Sequence, residues 1–112
     1  MQLAFQDFCK ALQITPENST VYLNRGFTYF SMNQIEEAIS DYTTAIKFNH
    51  SDAEAYYNRA NVYWKMQRLD EAVADFENSA NIFKSQGKIE DYDDSVFNVH
   101  LIRQGMVRTV DF

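Results

Sequence analysis

The sequence predicts an all-α protein built from repeated helical hairpins, and three observations lead there. The word YLNRGFTYF at residues 22–30 returns as YYNRANVYW at 56–64, so Tyr22, Asn24, Arg25 and Tyr29 meet Tyr56, Asn58, Arg59 and Tyr63 at a shift of 34 residues. Apolar residues inside each unit recur every three to four positions, the period of an amphipathic helix. Only three Gly and one Pro interrupt 112 residues that are 46% hydrophobic, which leaves little punctuation for a strand-and-turn design.

The chain opens inside a unit. Shifting the repeat toward the N-terminus places Ala4, Asp7, Phe8, Ala11 and Ile14 on the second half of the pattern, so residues 1–18 are expected to form the second helix of a partial repeat. Asp7 then lacks an upstream arginine, and the face Phe5, Phe8, Leu12 lacks its usual cover. A fragment of a longer array is the simplest expectation, with self-association (a homo-oligomer) through this N-terminal helix as a consequence.

Residues 19–52 form the first full repeat. Tyr22, Arg25, Gly26 and Tyr29 lie one turn apart, and after Asn33 the series Ile35, Ala38, Ile39, Tyr42, Ala45, Ile46 begins a second helix. Asn33 tolerates the left-handed conformation that ends helices. Ser51-Asp52-Ala53-Glu54 has the spacing of a capping box to open the next helix. Residues 53–86 repeat the plan, with Ile35 falling on Leu69, Glu37 on Glu71, Ala38 on Ala72, Asp41 on Asp75, Tyr42 on Phe76 and Ala45 on Ser79. The second helix of that repeat is expected to run to Ser85 and break near Gly87. Residues 87–112 then supply a capping helix read from the apolar series Ile89, Tyr92, Val96, Val99, Arg103, Met106, with Val107 and Val110 extending it. Glu90 and Asp91 near its start suit the positive end of its dipole.

Arg25 and Arg59 look like anion binders, yet each has an acid at the same offset, Asp41 and Asp75. Two structural ion pairs are expected. Cys9 is the single cysteine, which excludes an internal disulfide framework and favours a reducing, intracellular (cytoplasmic) setting. His50 and His100 lack metal-ligand spacing, and no phosphate loop, Ser-His-Asp set or zinc pattern occurs, so no enzyme, cofactor or metal is expected. A net charge of −6 without a basic stripe argues against nucleic acid. No apolar run is long enough to insert in a membrane.

The 34-residue period and its residues resemble the tetratricopeptide repeat (TPR) family over residues 1–86: aromatics Tyr22 and Tyr56, small Gly26 and Ala60, Tyr29 and Tyr63, Ala4, Ala38 and Ala72, aromatics Phe8, Tyr42 and Phe76, and Pro16. His50 and Lys84 depart from the family's proline. The resemblance implies one TPR domain over 1–112, stacked as a right-handed superhelix (α-solenoid). It also implies a concave groove that binds an extended peptide of a partner protein. By position in the repeat, that groove comprises Leu23, Asn24, Phe27, Tyr57, Asn58, Asn61, Lys65 and Asp94. Asn24 and Asn58 would pair with peptide amides whatever the ligand sequence. Trp64 and Phe30 are open to two readings, ligand contact or filler between units. A subset of the family grips chaperone C-terminal carboxylates with Lys and Asn where this chain has Leu23 and Phe27, and with cations where it has Glu90 and Asp94. Acids at Glu54, Glu90, Asp93 and Asp94 instead imply a basic or neutral peptide partner. Two alternatives stand beside this adaptor reading: a structural, self-associating repeat fragment, and a domain appended to a larger enzyme or sensor.

Overall fold

A computed structural model describes residues 2–105 as six helices, α1 (Gln2–Ile14), α2 (Ser19–Ser31), α3 (Ile35–Phe48), α4 (Ala53–Lys65), α5 (Leu69–Ser85) and α6 (Ile89–Arg103), with no strand among the described residues. The chain divides between Ser51 and Asp52 into two compact units, the first holding α1–α3 and the second α4–α6.

Each helix start and stop has a local cause. Asn18 caps α2 by accepting the Val21 N–H at 3.3 Å, and Asp52 caps α4 by accepting the Ala55 N–H at 3.2 Å. The expected capping box led by Ser51 is therefore displaced by one residue, because the carboxylate of Asp52 reaches the free N–H groups of the first turn and its charge suits the helix dipole. The helices α3, α5 and α6 have acids in their first turns instead: Glu36 and Glu37, Asp70 and Glu71, Glu90 and Asp91.

The stops recur as well. Gln34, Arg68 and Lys88 each donate a backbone N–H to the carbonyl five residues back, at Tyr29, Tyr63 and Phe83, over 2.8, 2.8 and 2.9 Å. That closure requires a residue with positive φ just before the donor, and Asn33 (61°), Gln67 (62°) and Gly87 (73°) supply it. Gln67 is an unusual residue for this conformation, so nothing in its identity announces the turn. α5 runs to Ser85 and breaks at Gly87. α6 stops at Arg103 ahead of Gly105, also at positive φ; Met106, Val107 and Val110 lie outside the described residues.

The repeated word is explained by the hairpin that each copy builds. In the first unit Arg25 Nε donates to Asp41 Oδ2 at 2.7 Å and its Nη2 donates to Asp41 Oδ1 at 2.8 Å; Arg59 and Asp75 reproduce this at 2.7 and 2.8 Å. The guanidinium of Arg25 lies 5.6 Å from the ring centre of Tyr22 and 5.8 Å from that of Tyr29. Arg59 sits in the same way between Tyr56 and Tyr63. Helical spacing places those aromatics one turn before and one turn after the arginine, which fixes its orientation. The hydrogen bonds to Asp41 hold the Arg25 guanidinium protonated beyond its ordinary range, against partial burial pulling the other way, and Arg59 follows the same pattern with Asp75.

Beside each pair the helices approach closely. Gly26 lies under Tyr42, and Ala60 lies in a core with Trp64, Ala72, Phe76, Val99 and Ile102. Burial pushes the Tyr42 phenol well above its ordinary value, with Asp41 adding to the shift. In the second unit Trp64 and Tyr57 both meet the ring of Phe76 edge-on. Trp64, 2% exposed, packs with Ala72 and Phe76 of its own repeat and with Val99 and Ile102 of the following helix, which is the filler reading of the two.

Two expectations about the ends are corrected. The Phe5 and Phe8 face of α1 is half-buried rather than bare, because Phe5 tilts onto Tyr29 at 4.8 Å and meets Phe8 at 6.3 Å. On α6 the expected apolar series is inward only in part: Val99 is buried and Tyr92 half-buried, but Ile89 and Val96 are exposed, and Ser95, Asn98 and Ile102 complete the buried face. Close approach decides this: Ser79 and Ser95 touch at 3.0 Å through their hydroxyls, where larger side chains would hold α5 and α6 apart.

Arg59→Ala is expected to destabilise the fold by about 3 to 5 kcal/mol, since it strands the nearly buried carboxylate of Asp75. An unchanged thermal melt would refute the structural role of the pair. Gly26→Ala places a methyl 2.8 Å from Tyr42 Cε1. The overpacking outweighs alanine's better helix propensity, giving a net loss of about 1 to 2 kcal/mol by urea denaturation.

Candidate recognition face

Helix spacing places Thr20, Asn24, Phe27 and Ser31 along one side of α2, and all four are exposed. Phe27 is 57% exposed, which leaves much of its ring open to a partner. Leu23, expected on the same face, is 9% exposed, because the leucine turns toward the apolar interior and offers little to a ligand. On α4 the corresponding side carries Glu54, Asn58, Asn61 and Lys65; the first and last are exposed and the asparagines half-buried.

In the second unit this side becomes a pocket. A cavity of about 210 Å³ is lined by Glu54, Tyr57 and Asn58 of α4, Phe83 of α5, and Asp91 and Asp94 of α6. The structure thus brings together Tyr57, Asn58 and Asp94 from the predicted set. It leaves Asn61 and Lys65 outside the lining and places Asn24 and Phe27 on the first unit. Phe83 is buried and forms an apolar base, while Glu54, Asp91 and Asp94 are exposed at the edge.

The acid rim differs from the expected one. Asp91 and Asp94 are three residues apart and share a helix face, whereas Glu90 and Asp93 are not part of the pocket lining. Choosing between the two pairs required the rotation of α6, which the misleading apolar series concealed. The structure also assigns a role to Asn98, which no motif flagged. Its Nδ2 donates to the Tyr57 hydroxyl at 3.2 Å, and that hydroxyl donates to Asp94 Oδ2 at 3.4 Å. Tyr57 is thereby held between a nearly buried carboxamide below and a solvent-facing carboxylate above.

The chemistry available is that of recognition. The pocket offers hydrogen-bond acceptors, one carboxamide, aromatic surface and negative charge. Among the described residues, no group of three or more His, Cys, Asp or Glu side chains could hold a metal ion, and no helix is long and apolar enough to cross a membrane.

Short antiparallel helix pairs stacked on small residues, with polar and aromatic side chains left open along the first helix of each pair, define a helical-repeat protein. Comparison with known proteins makes this specific. A family model described as TPR repeat matches residues 28–67, and one described as tetratricopeptide repeat matches residues 53–83. The chain belongs to the tetratricopeptide repeat family.

Solved structures agree in fold. The Arabidopsis OM64 TPR domain is 20% identical with a TM-score of 0.69, covering 83% of this chain and 74% of its own. The first TPR of Spaghetti (RPAP3), bound to the HSP90 peptide SRMEEVD, is 25% identical with a TM-score of 0.64 over 80% of this chain and 74% of its own. YrrB, a TPR protein with an unusual peptide-binding site, is 23% identical with a TM-score of 0.63; 82% of this chain aligns with 55% of that one. No curated protein matches the sequence.

Tyr57→Phe removes the partner of a nearly buried carboxamide. The expected loss is about 1 to 3 kcal/mol in urea denaturation. Unchanged stability would show that Asn98 does not depend on the phenol.

Proposed function

We propose that this chain is a non-catalytic protein-interaction module that binds an extended peptide segment of basic or neutral character. The observation that carries this reading is the α4–α6 pocket, where the Asn58 carboxamide and the Tyr57 ring lie beside Glu54, Asp91 and Asp94. A carboxamide both donates and accepts, so it can pair with a peptide bond regardless of side chain. Asn24 is assigned the same role on α2, and the exposed Phe27 ring adds apolar contact with little conformational freedom to lose.

The Spaghetti (RPAP3) structure supports the class of ligand, since at 25% identity it holds a peptide. The charge of the ligand is argued from this chain. The peptide SRMEEVD carries three acids, which a pocket edged by three carboxylates would repel. Leu23 and Phe27 stand where the resemblance would require a Lys and an Asn for that ligand, and Leu23 is also buried.

The test is fluorescence anisotropy with labelled extended peptides matched in length and apolar content but positive, neutral or negative in charge. Positive and neutral peptides are expected to bind and negative ones to fail. Affinity for the positive peptide should fall about tenfold between ~0.05 and ~0.5 M salt, as screening shortens the reach of the carboxylates. Replacing Asn24 and Asn58 together by Ala should remove binding of both classes. Retention by the double variant, or preference for the acidic peptide, would overturn the proposal.

A further inference from the structure

The pocket of the second unit is small, acidic at its edge and aromatic at its base, and those three properties narrow its occupant. Its volume of about 210 Å³ falls below the roughly 300–1,000 Å³ of sites for drug-sized molecules, so it suits one side chain. Phe83 and the ring of Tyr57 provide apolar surface for a flat or aliphatic group. Glu54, Asp91 and Asp94 are in no ion pair among the described residues, and no Lys or Arg lines the cavity to neutralise them.

The arrangement of the carboxylates selects among cations. They come from two helices and do not form a metal-binding group, so no single small ion can satisfy them together. A lysine ammonium is a compact point charge and meets the same difficulty. A guanidinium spreads five N–H donors over a plane, reaches separated acceptors at once, and stacks on aromatic faces. Asp94 is suited to receive it: its only internal hydrogen bond among the described residues, from the Tyr57 hydroxyl, is long at 3.4 Å. The other face of that hydroxyl is fixed by Asn98, so Tyr57 stays in place when Asp94 turns to a ligand.

We infer that this pocket accepts one arginine side chain, which anchors the bound segment by a forked contact to Asp91 and Asp94 over the Tyr57 and Phe83 rings. The inference deepens the peptide-binding reading and rests on it for the source of the arginine.

The experiment is a two-dimensional ¹⁵N–¹H NMR titration of the full chain with N-acetyl-L-arginine methylamide, using the lysine and citrulline analogues as comparators. Citrulline keeps the shape of arginine and lacks its charge. Saturable shifts are expected at Glu54, Tyr57, Asn58, Asp91 and Asp94 with the arginine probe. Binding should be about fivefold weaker with lysine and absent with citrulline. The Asp91→Asn/Asp94→Asn variant, whose altered side chains are exposed and whose folding the same spectra report, should weaken arginine binding about tenfold. Glu54→Gln provides a second variant on the opposite helix with a smaller loss. Equal response to arginine and citrulline, equal affinity for arginine and lysine, or shifts away from these residues would overturn the inference. If that happens while peptides still bind through Asn24 and Asn58, only the arginine assignment fails; if peptide binding is also lost, both readings fail.

Discussion

A guanidinium forked onto a nearly buried carboxylate sets the way two helices meet in each hairpin. Removing an aspartate from water costs several kcal/mol, and the cost is recovered only when both oxygens find donors in good geometry. Arg25 and Arg59 meet that demand because tyrosines one turn away on either side hold the guanidinium plane in position. The pair therefore fixes the relative register of its two helices more than it adds net stability. A small residue immediately after each arginine completes the device, letting the second helix settle against the first. The repeated nine-residue word is the written form of this constraint.

The last helix is attached by other means, and the candidate site lies where the means change. Among the described residues no arginine–aspartate pair joins α5 to α6; a buried hydroxyl pair, Ser79 and Ser95, and an exposed Arg103–Glu77 ion pair at 3.2 Å do, with Val99 and Ile102 buried nearby. Tyr57 reaches α6 by hydrogen bonds to Asp94 and Asn98. Like α3 and α5, α6 carries acids in its first turn. Glu90 and Asp91 lie near the positive end of the helix dipole, which offsets some of their mutual repulsion. Asp91 and Asp94 face the pocket, while the neighbouring Glu90 and Asp93 remain outside its lining.

On the proposed reading, charge separates this molecule from a structural relative of the same family. The fold supplies an open face along the first helix of each pair, and side chains on that face choose the ligand. In the second unit three carboxylates line the pocket beside Tyr57, and the proposed preference for a basic or neutral peptide rests on them.

The helices, their pairing within each repeat and the partner of each arginine were legible from the residues alone, since these follow from local periodicity and from a motif written twice. So were the turn at Asn33 and the run of α5 to Ser85, which depend on nearest neighbours. Tertiary structure decided the rest. Whether Leu23 and Trp64 face in or out, whether Asp52 or Ser51 caps α4, and which of the acids in α6 meet Tyr57 all depend on helix rotation and close packing. On α6 the apolar series placed Val99 and Tyr92 inward, but the contact of small Ser79 and Ser95 left Ile89 and Val96 exposed. Hydrophobic spacing is a one-dimensional signal. The pocket exists only because three helices converge on it, and that convergence is set by contacts between residues far apart in the chain.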